Sequence, residues 1–339
     1  MVGTFFAELG AQVLKVENAK TKGDVTRQWK LANEPQERSY SAYYCAANWG
    51  KEVLMADLSK TEDQQKVYEL AKDADIIVAN FKAGAAEKLG MDYAHFKSIN
   101  PTIIYGQITG FESGNQRPAF DVVLQAEAGF MFMNGTAESG PVKMPVALID
   151  LLAAHQLKEG LLVALLKRAE TGKGSLVSVS LIESALASLA NQATNWLMAQ
   201  HIPQRMGSLH PNIAPYGEMF ETKDEKLVVL AIGNNKQFEQ LCKVLKAEDL
   251  AQNLLFKDNI QRVHNRKILA EKLGLFIQEW KREVFLEKMT AANVPAGAIR
   301  NMEEVFEQKV AQGMVLKEVG EDGQETQRVR TVAFSIDEG

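Results

Sequence analysis

The sequence predicts an α/β fold, with a mostly parallel sheet in a large domain and a smaller α+β domain. Over the first 210 residues, short apolar runs alternate with longer helical patterns, as in sheets covered by helices on both faces. From Pro211 onwards, two closely spaced strand patterns are followed by helices alone. The length of 339 residues, with 46% hydrophobic and 24% charged residues, suits a globular chain of two domains.

The first element is a predicted helix over residues 1–9, which Gly10 ends. A parallel α/β unit normally has a strand before such a helix, so we expect the first strand and its loop to be missing from this chain. Strands are then predicted where β-branched and other apolar residues cluster, and helices where apolar residues recur every three or four positions. The predicted strands are 13–17, 51–57, 76–78 and 102–108, and the predicted helices are 60–73 and 92–99.

In the second half, helices are predicted over 150–168 and 182–200, with the strand 176–180 between them. Strands at 218–220 and 226–232 flank a turn, and helices follow at 236–245, 265–275 and 282–292. We therefore predict a large domain made of residues 1–205 plus 300–339 and a small domain made of residues 212–295. Residues 294–297 are predicted to be the linker that returns to the large domain.

Composition and short motifs exclude several classes of function. A net charge of −5 disfavours nucleic acid as a partner, and two cysteines far apart suit a reducing, cytoplasmic location. No apolar run is long enough to span a membrane, and no signal segment opens the chain. The five histidines follow no metal-binding pattern, so we expect no metal. A dinucleotide-dependent oxidoreductase is disfavoured because no G-x-G-x-x-G follows a strand.

Six strings of residues resemble, in order, those of the family III CoA-transferases, whose known members move CoA between carboxylic acids. They are 9–17 (LGAQVLKVE), 75–90 (DIIVANFKAGAAEKLG), 119–126 (AFDVVLQA), 171–174 (TGKG), 210–216 (HPNIAPY) and 294–297 (VPAG). The resemblance covers nearly the whole chain. It implies a Rossmann-like large domain, an interlocked homodimer, and CoA thioesters and free carboxylic acids as substrates, with no tightly bound cofactor.

The family's nucleophile is an aspartate at the start of the long helix, and the matching residue here is Asp150. By this resemblance, Asp150 attacks an acyl-CoA, and the reaction passes through a mixed anhydride and an aspartyl-CoA thioester. We expect free N–H groups at the helix N-terminus to favour the ionised carboxylate and to stabilise the oxyanion. The alternative interpretation of Asp150 is a plain helix N-cap.

The resemblance also implies a CoA site. It comprises Asn80, Phe81, Lys82, Gly84, Lys88 and Leu89, with Phe120 and Asp121 near the thioester. Lys82 and Lys88 could instead lie on a solvated surface, Phe81 in the core, and Asp121 could only hold a loop. A basic residue common in the family after the K-V-E strand is Asn18 here, so Lys15, Lys20 or Lys22 is the expected replacement.

Two alternatives remain within the same resemblance. One is an α-methylacyl-CoA racemase, but its second base, a histidine, is replaced here by Phe120, and its glutamate position falls on Asn235. His155 lies near the opposite side of the helix from Asp150 and is not an obvious substitute. The other is a truncated CoA-binding protein with little activity, because the family has about 20 more N-terminal residues and a further C-terminal end. We expect the 339-residue chain to be impaired for that reason.

Overall fold

The protein is described from a computed structural model, which covers residues 1–320 and 322–337. The chain divides into two compact units. The larger unit comprises Met1–Met131, Lys143–Pro203 and Gly313–Gly339, and the smaller unit comprises Phe132–Val142 and Gln204–Gln312.

The strands, in chain order, are β1 (Val13–Asn18), β2 (Lys51–Ala56), β3 (Ile76–Ala79), β4 (Ile104–Thr109), β5 (Ser175–Ser180), β6 (Tyr216–Glu221), β7 (Leu227–Ala231), β8 (Ala296–Ala298), β9 (Val315–Val319) and β10 (Glu325–Val329). The α-helices are α1 (Val2–Glu8), α2 (Ala42–Asn48), α3 (Thr61–Asp73), α4 (Ala85–Lys88), α5 (Tyr93–Ile99), α6 (Asp121–Glu127), α7 (Phe130–Met133), α8 (Leu148–Thr171), α9 (Leu181–Ala187), α10 (Ala190–Ala199), α11 (Asn235–Val244), α12 (Glu248–Gln252), α13 (Asn259–His264), α14 (Arg266–Ile277), α15 (Arg282–Ala291), α16 (Met302–Phe306) and α17 (Lys309–Gln312).

The predicted parallel α/β architecture is confirmed in the larger unit. β1 pairs with β2 in parallel, and β3, β4 and β5 form a second parallel sheet in that order. Leu157 and Leu161 of α8 pack on one face of the second sheet against Ile104, and Phe96 of α5 packs on the other against Tyr105. Both faces are therefore buried, which is why these strands read as apolar runs.

Helix α8 fixes where a site can form. Near its C-terminal end, Arg168 donates to the backbone oxygens of Asp75 and Thr102, which precede β3 and β4. Gly172, in the left-handed conformation with φ of 68°, then ends the helix. A helix of 24 residues is about 36 Å long, and a strand of six is about 20 Å. The N-terminal turns of α8 therefore extend beyond the carboxyl ends of the strands.

Hydrogen bonds tie the two ends of the described chain together in the larger unit. The Glu8 carboxylate accepts from the backbone N–H groups of Thr331 and Val332 at 2.8–2.9 Å and from Arg328 Nη2 at 2.5 Å. Arg328 lies on β10, which forms an antiparallel hairpin with β9. The hairpin is thereby fixed to the end of α1.

The smaller unit is an antiparallel sheet of β6, β7 and β8 packed against helices. Its core brings Val228 and Leu230 of β7 together with Phe238, Leu273 and Phe285 of the surrounding helices. Within this core the Arg262 guanidinium is fully buried and donates to the backbone oxygens of Ala214 and Phe256 and to Asn235 Oδ1.

Several element boundaries differ from the prediction. The predicted helix 182–200 is two helices, α9 and α10, because the chain leaves the helical conformation at Ser188 and Ala190 has a positive φ of 48°. The predicted linker 294–297 contributes β8 to the sheet of the smaller unit. The hairpin β9–β10 and helix α2 had no counterpart in the prediction. Over residues 1–320 and 322–337, no helix is both long enough and apolar enough to cross a bilayer.

Candidate active site

Asp150 lies in the first turn of α8, but it is not the residue that begins the helix. The helix starts at Leu148, two residues earlier than predicted, and Ala147 is the N-cap without a side-chain hydrogen bond. The alternative that Asp150 is a plain N-cap is therefore wrong. Its side chain is not used to close the helix, and the residue is exposed at the surface of its unit.

The expectation of free N–H groups at this helix end is also wrong. The N–H groups of Ile149 and Asp150 both point to Oδ1 of Asp121, with N···O distances of 2.7 and 3.3 Å. Those of Leu148 and Leu151 bond to the backbone oxygens of Val146 and Ala147 at 2.8 and 3.0 Å. The N–H groups of Leu148, Ile149 and Asp150, the first three of the helix, are thus occupied and are not available to an oxyanion in this structure.

Asp121 is bound from a second side by Gln125, one turn later on α6. Gln125 Nε2 donates to Asp121 Oδ2 at 2.6 Å, and Gln125 Oε1 accepts from the backbone N–H of Met144 at 2.8 Å. The Gln125 side chain is buried, with only 1% of the residue exposed. It therefore connects Asp121 to the loop that leads into α8. Sequence reasoning assigned no role to Gln125, although its spacing of four residues from Asp121 is the spacing of helix neighbours.

The environment of Asp150 changes its acidity. The carboxyl reaches solvent, but the protein atoms crowded around it remove part of its hydration. This loss of hydration is the larger cause, the charge of Asp121 adds to it, and together they raise the pKa of Asp150 to about 6. With that pKa, about nine tenths of the Asp150 side chains are ionised at pH 7.

The predicted CoA loop follows β3 at the same edge of the sheet. Asn80, Lys82 and Lys88 are exposed, and within residues 1–320 and 322–337 neither lysine ammonium is within bonding distance of a carboxylate. Gly84 has a φ of 75° and a Cβ there would meet nothing within 4 Å, so its glycine is required by the backbone and not by crowding. Gln116 Nε2, in the loop after β4, donates to the Ala83 oxygen at 3.3 Å and brings the two loops together.

The aromatic and aliphatic residues of the predicted CoA site divide into two groups. Phe81 and Leu89 are half-buried and pack on the cluster that contains Phe96 and Tyr105, as the core alternative expected for Phe81. Phe120 is 67% exposed and precedes α6. Of the three, Phe120 has the largest exposed fraction.

The lysines expected to replace the missing basic residue at Asn18 differ in availability. Lys15 is ion-paired with Asp24 and lies 3.2 Å from Glu17 Oε1, and Lys20 Nζ lies 3.3 Å from Asp57. Lys22 is exposed and has no carboxylate partner in the described part of the chain. Lys22 is therefore the most available cation in that loop.

Glu17, which anchors this region, is almost fully buried. Its carboxylate accepts from Arg27 Nε at 2.8 Å, from Tyr44 Oη at 2.7 Å and from the backbone N–H of Asp24 at 2.9 Å. Burial alone would raise the pKa of Glu17, but these donors and the charge of Lys15 outweigh it and lower the pKa to about 2. Glu17 is therefore a fixed anion that organises the loop after β1.

The positions relevant to racemisation contain no evident second base. Asn235 uses its Oδ1 to bind the buried Arg262 at 2.9 Å. His155 is exposed and lies five residues after Asp150, about 140° further around α8. No three His, Cys, Asp or Glu side chains come together in a possible metal-binding group among the residues that the structure describes.

Comparison with known proteins identifies the family. The sequence model of CoA-transferase family III matches residues 1–338. The chain is 34% identical to a succinate–glutarate CoA-transferase of Agrobacterium fabrum over 97% of this chain and 84% of that protein. It is 30% identical to an acetyl-CoA:oxalate CoA-transferase of Acetobacter aceti over 94% of this chain and 81% of that protein.

A solved structure agrees with this result. The crystal structure of a CAIB/BAIF family protein from Brucella suis superimposes with a TM-score of 0.86 at 36% identity, and the match covers 98% of this chain and 88% of that one. The resemblance inferred from the six strings is thereby confirmed. The chain belongs to CoA-transferase family III and is an enzyme that transfers CoA.

Proposed function

We propose that this enzyme transfers CoA from an acyl-CoA to a free carboxylic acid with Asp150 as the nucleophile. An oxygen of Asp150 attacks the thioester carbonyl carbon, the C–S bond breaks, and CoA leaves as the thiolate with the bonding electrons, which gives a mixed anhydride. The thiolate then attacks Cγ of Asp150 and expels the donor acid as its carboxylate, which leaves an aspartyl-CoA thioester. An acceptor carboxylate reverses the two steps and restores Asp150.

The observation that carries this proposal is the environment of the Asp150 carboxylate. It is accessible, it is not consumed in capping, and its raised pKa still leaves it mostly ionised at neutral pH. A carboxylate that binds protons more tightly is a stronger nucleophile towards a thioester. The series of reaction steps consumes no net proton, because each attack by an anion releases another anion.

We assign the CoA site to the loop after β3 and to the start of α6. Lys82 and Lys88 are exposed cations without carboxylate partners in the described part of the chain, so they are suited to the phosphates of CoA. Asn80 and Gly84 place polar backbone and side-chain groups beside them. Phe81 and Leu89 support the loop from the core, and Phe120 offers an exposed apolar surface for the pantetheine. Asp121 is assigned to α8 rather than to CoA, because both its oxygens already accept hydrogen bonds within the protein.

The acids are proposed to be small dicarboxylates. The relatives named above act, by their names, on succinate, glutarate and oxalate, and further relatives are named for mesaconate. CoA exchange between two such acids is close to isoenergetic, so the reaction needs no ATP.

A homodimer is proposed for the assembly, and its support is the amount of exposed surface. The chain exposes 20,585 Å², whereas two compact units of the sizes described above would together expose about 16,000 Å². Part of the excess is apolar, including Leu166 of α8 at 69% exposure and Leu197 and Met198 of α10 at 71% and 82%. The difference between the exposed area of the chain and that of two compact units is of the size that obligate homodimers bury at their interface. Light scattering that finds a monomer at micromolar concentration would contradict the dimer.

The experiment for the mechanism uses succinyl-CoA with glutarate whose carboxylates carry oxygen-18. After a single turnover and digestion, one labelled oxygen is expected in the peptide that contains Asp150, because the acceptor oxygen bridges the second anhydride and stays on the enzyme. Hydroxylamine added with succinyl-CoA alone is expected to trap a hydroxamate at the same residue. Full activity of an Asp150→Asn variant, or label only in the free acids, would overturn the proposal. Rapid α-proton exchange on a 2-methylacyl-CoA without any acceptor acid would instead indicate a racemase.

A further inference from the structure

Asp121 has an unusual place for the first residue of a helix. An aspartate in the first turn commonly binds the N–H groups of its own helix, but α6 has no side-chain cap, and Asp121 Oδ1 instead accepts from Ile149 and Asp150 of α8, 28 and 29 residues later. The carboxylate of one helix thus occupies the N-terminal donors of another.

The support for this arrangement is buried and specific. Gln125 Nε2 holds Oδ2 of Asp121 at 2.6 Å, so the carboxylate cannot rotate away from α8 without losing that bond. The same amide binds the Met144 N–H, and Met144 lies six residues before Asp150. A buried amide with partners on both its oxygen and its nitrogen fixes the orientation of what it binds.

We propose that Asp121 is a positioning residue for Asp150, which fixes the first turn of α8 and holds a second negative charge beside the nucleophile. This inference rests on the proposed role of Asp150 as the nucleophile. It assigns to the Asp121–Gln125 pair a function in the reaction that is separate from binding CoA.

The charge of Asp121 has few competitors near Asp150. Within five residues of Asp150 on α8, and on the elements packed around its first turns, the other charged or titratable side chains are His155, Lys143, Glu183, which is bonded to Ser180, and the ion pair of Arg117 with Glu127. The remaining charged side chains of α8 lie eight or more residues after Asp150: Lys158, Glu159, Lys167, Arg168 and Glu170. None of these contributes to the acidity of Asp150, whereas Asp121 does. Removal of the Asp121 charge therefore removes the charged group that raises the pKa of Asp150.

The consequence for the reaction concerns how the first tetrahedral intermediate breaks down. It can expel either the Asp150 carboxylate, which returns to substrate, or the CoA thiolate, which goes forward. A carboxylate is ordinarily the much better leaving group. A negative charge held next to Asp150 makes its departure less favourable and its attack more favourable, so it shifts the partition forward.

The test is the pH dependence of kcat/KM for succinyl-CoA in the Asp121→Asn variant. The replacement amide keeps an acceptor oxygen for the Ile149 N–H but removes the charge, and its NH2 group cannot accept the bond that Gln125 Nε2 donates to Oδ2. The acid limb is expected to move to lower pH, to a midpoint below about 6 but above 3.8, because the larger cause, the loss of hydration, remains. The phosphates of the CoA substrate titrate in the same way whether the parent enzyme or the variant is assayed. A difference between the two acid limbs therefore arises from the protein.

Glu127→Gln is the matched control, since it removes a negative charge from the same helix at a carboxylate that pairs with Arg117. Its acid limb is expected to stay where the parent enzyme has it. An unchanged midpoint in a folded Asp121→Asn variant, or an equal shift in both variants, overturns the proposal.

A second measurement does not depend on the folding of the Asp121 variant. The unmodified enzyme is labelled with carbon-13 at its aspartate carboxyl groups, and the NMR chemical shift of the Asp121 carboxyl is followed against pH. This chemical shift is expected to show an inflection at the pH where Asp150 titrates. The inflection should be absent in the Asp150→Asn variant. The absence of that inflection in the unmodified enzyme contradicts the proposal. If the inflection is present but Asp150→Asn remains fully active, the coupling stands and the nucleophile assignment fails.

Discussion

The backbone N–H of Ile149 lies 2.7 Å from Oδ1 of Asp121, so the helix that carries the nucleophile begins on a carboxylate from another helix. This bond makes the start of α8 a tertiary feature. The position of Asp150 therefore depends on α6 and on the loop 143–147 as much as on α8 itself.

Replacement of Asp150 by asparagine should abolish CoA transfer while it stabilises the fold at neutral pH. Loss of a covalent nucleophile costs about 10³-fold or more in kcat. Because the folded pKa of Asp150 is raised, the folded protein holds its proton more tightly than the unfolded chain, and stability is lost as pH rises from about 4 through about 6. The Asp150→Asn variant has no carboxyl group at this position, so its stability does not fall for this reason as the pH rises.

The measurement is the difference in Tm between this variant and the parent enzyme across pH. The difference should be close to zero near pH 4, grow between pH 4 and 6, and level off above pH 7. A difference that shrinks as pH rises would contradict the assigned environment of Asp150.

Replacement of Gln125 by leucine should lower both stability and activity. The change leaves Asp121 Oδ2 and the part-buried Met144 N–H without the amide that binds them, which costs about 1–3 kcal/mol in the free energy of unfolding. Urea denaturation measures it. Gln107→Leu is the control, because Gln107 bonds to Ser178 at the surface, and its cost should stay within about 0.5 kcal/mol. Equal costs for the two variants would argue against the buried network.

Replacement of Lys82 or Lys88 by glutamine should raise KM for acyl-CoA by about tenfold with little change in kcat, because a cation–phosphate bond is made equally in substrate and transition state. The effect should weaken at high salt. Steady-state kinetics at two ionic strengths checks this, with Lys66→Gln, whose ammonium pairs with Asp63, as the control. A change in kcat without a change in KM would contradict a role for these lysines in binding CoA.

Replacement of Glu17 by glutamine should destabilise the protein by about 3 kcal/mol at pH 7, since it removes the buried carboxylate that accepts from Arg27 and Tyr44. The pKa of Glu17 is lowered to about 2, so its contribution is complete above about pH 4.5 and is lost as pH falls towards 2. Denaturation at pH 7 and pH 3 should show that the difference in the free energy of unfolding between the parent protein and the Glu17→Gln variant is smaller at pH 3. Glu69→Gln, in an exposed pair with Lys72, should cost under about 0.5 kcal/mol at both pH values.

Much of the larger unit could be predicted because its strands are apolar on both faces and its helices have a clear period. The strands at 13–17, 51–57, 76–78 and 102–108 lie within a few residues of β1 to β4. The family was readable from six strings, and with it Asp150. These are local signals, which a single sequence carries.

The rest depended on contacts between residues far apart in the chain. The start of α8 at Leu148 follows from bonds to Asp121 and to Val146, which no periodicity reveals. The occupied N–H groups contradict an expectation that treated the helix end in isolation. The break at Ser188 also lies in a stretch whose local composition favours a continuous helix, so only packing could decide it.

The bonds of Glu8 to Arg328, Thr331 and Val332 have a consequence for how the chain acquires its structure during synthesis. Glu8 meets these partners only after more than 300 further residues have been made. At about 5–20 residues per second, that delay is about 16–64 s. The residues of the smaller unit all lie between 132 and 312, so each of them is synthesised before Arg328, Thr331 and Val332, which close the larger unit on Glu8.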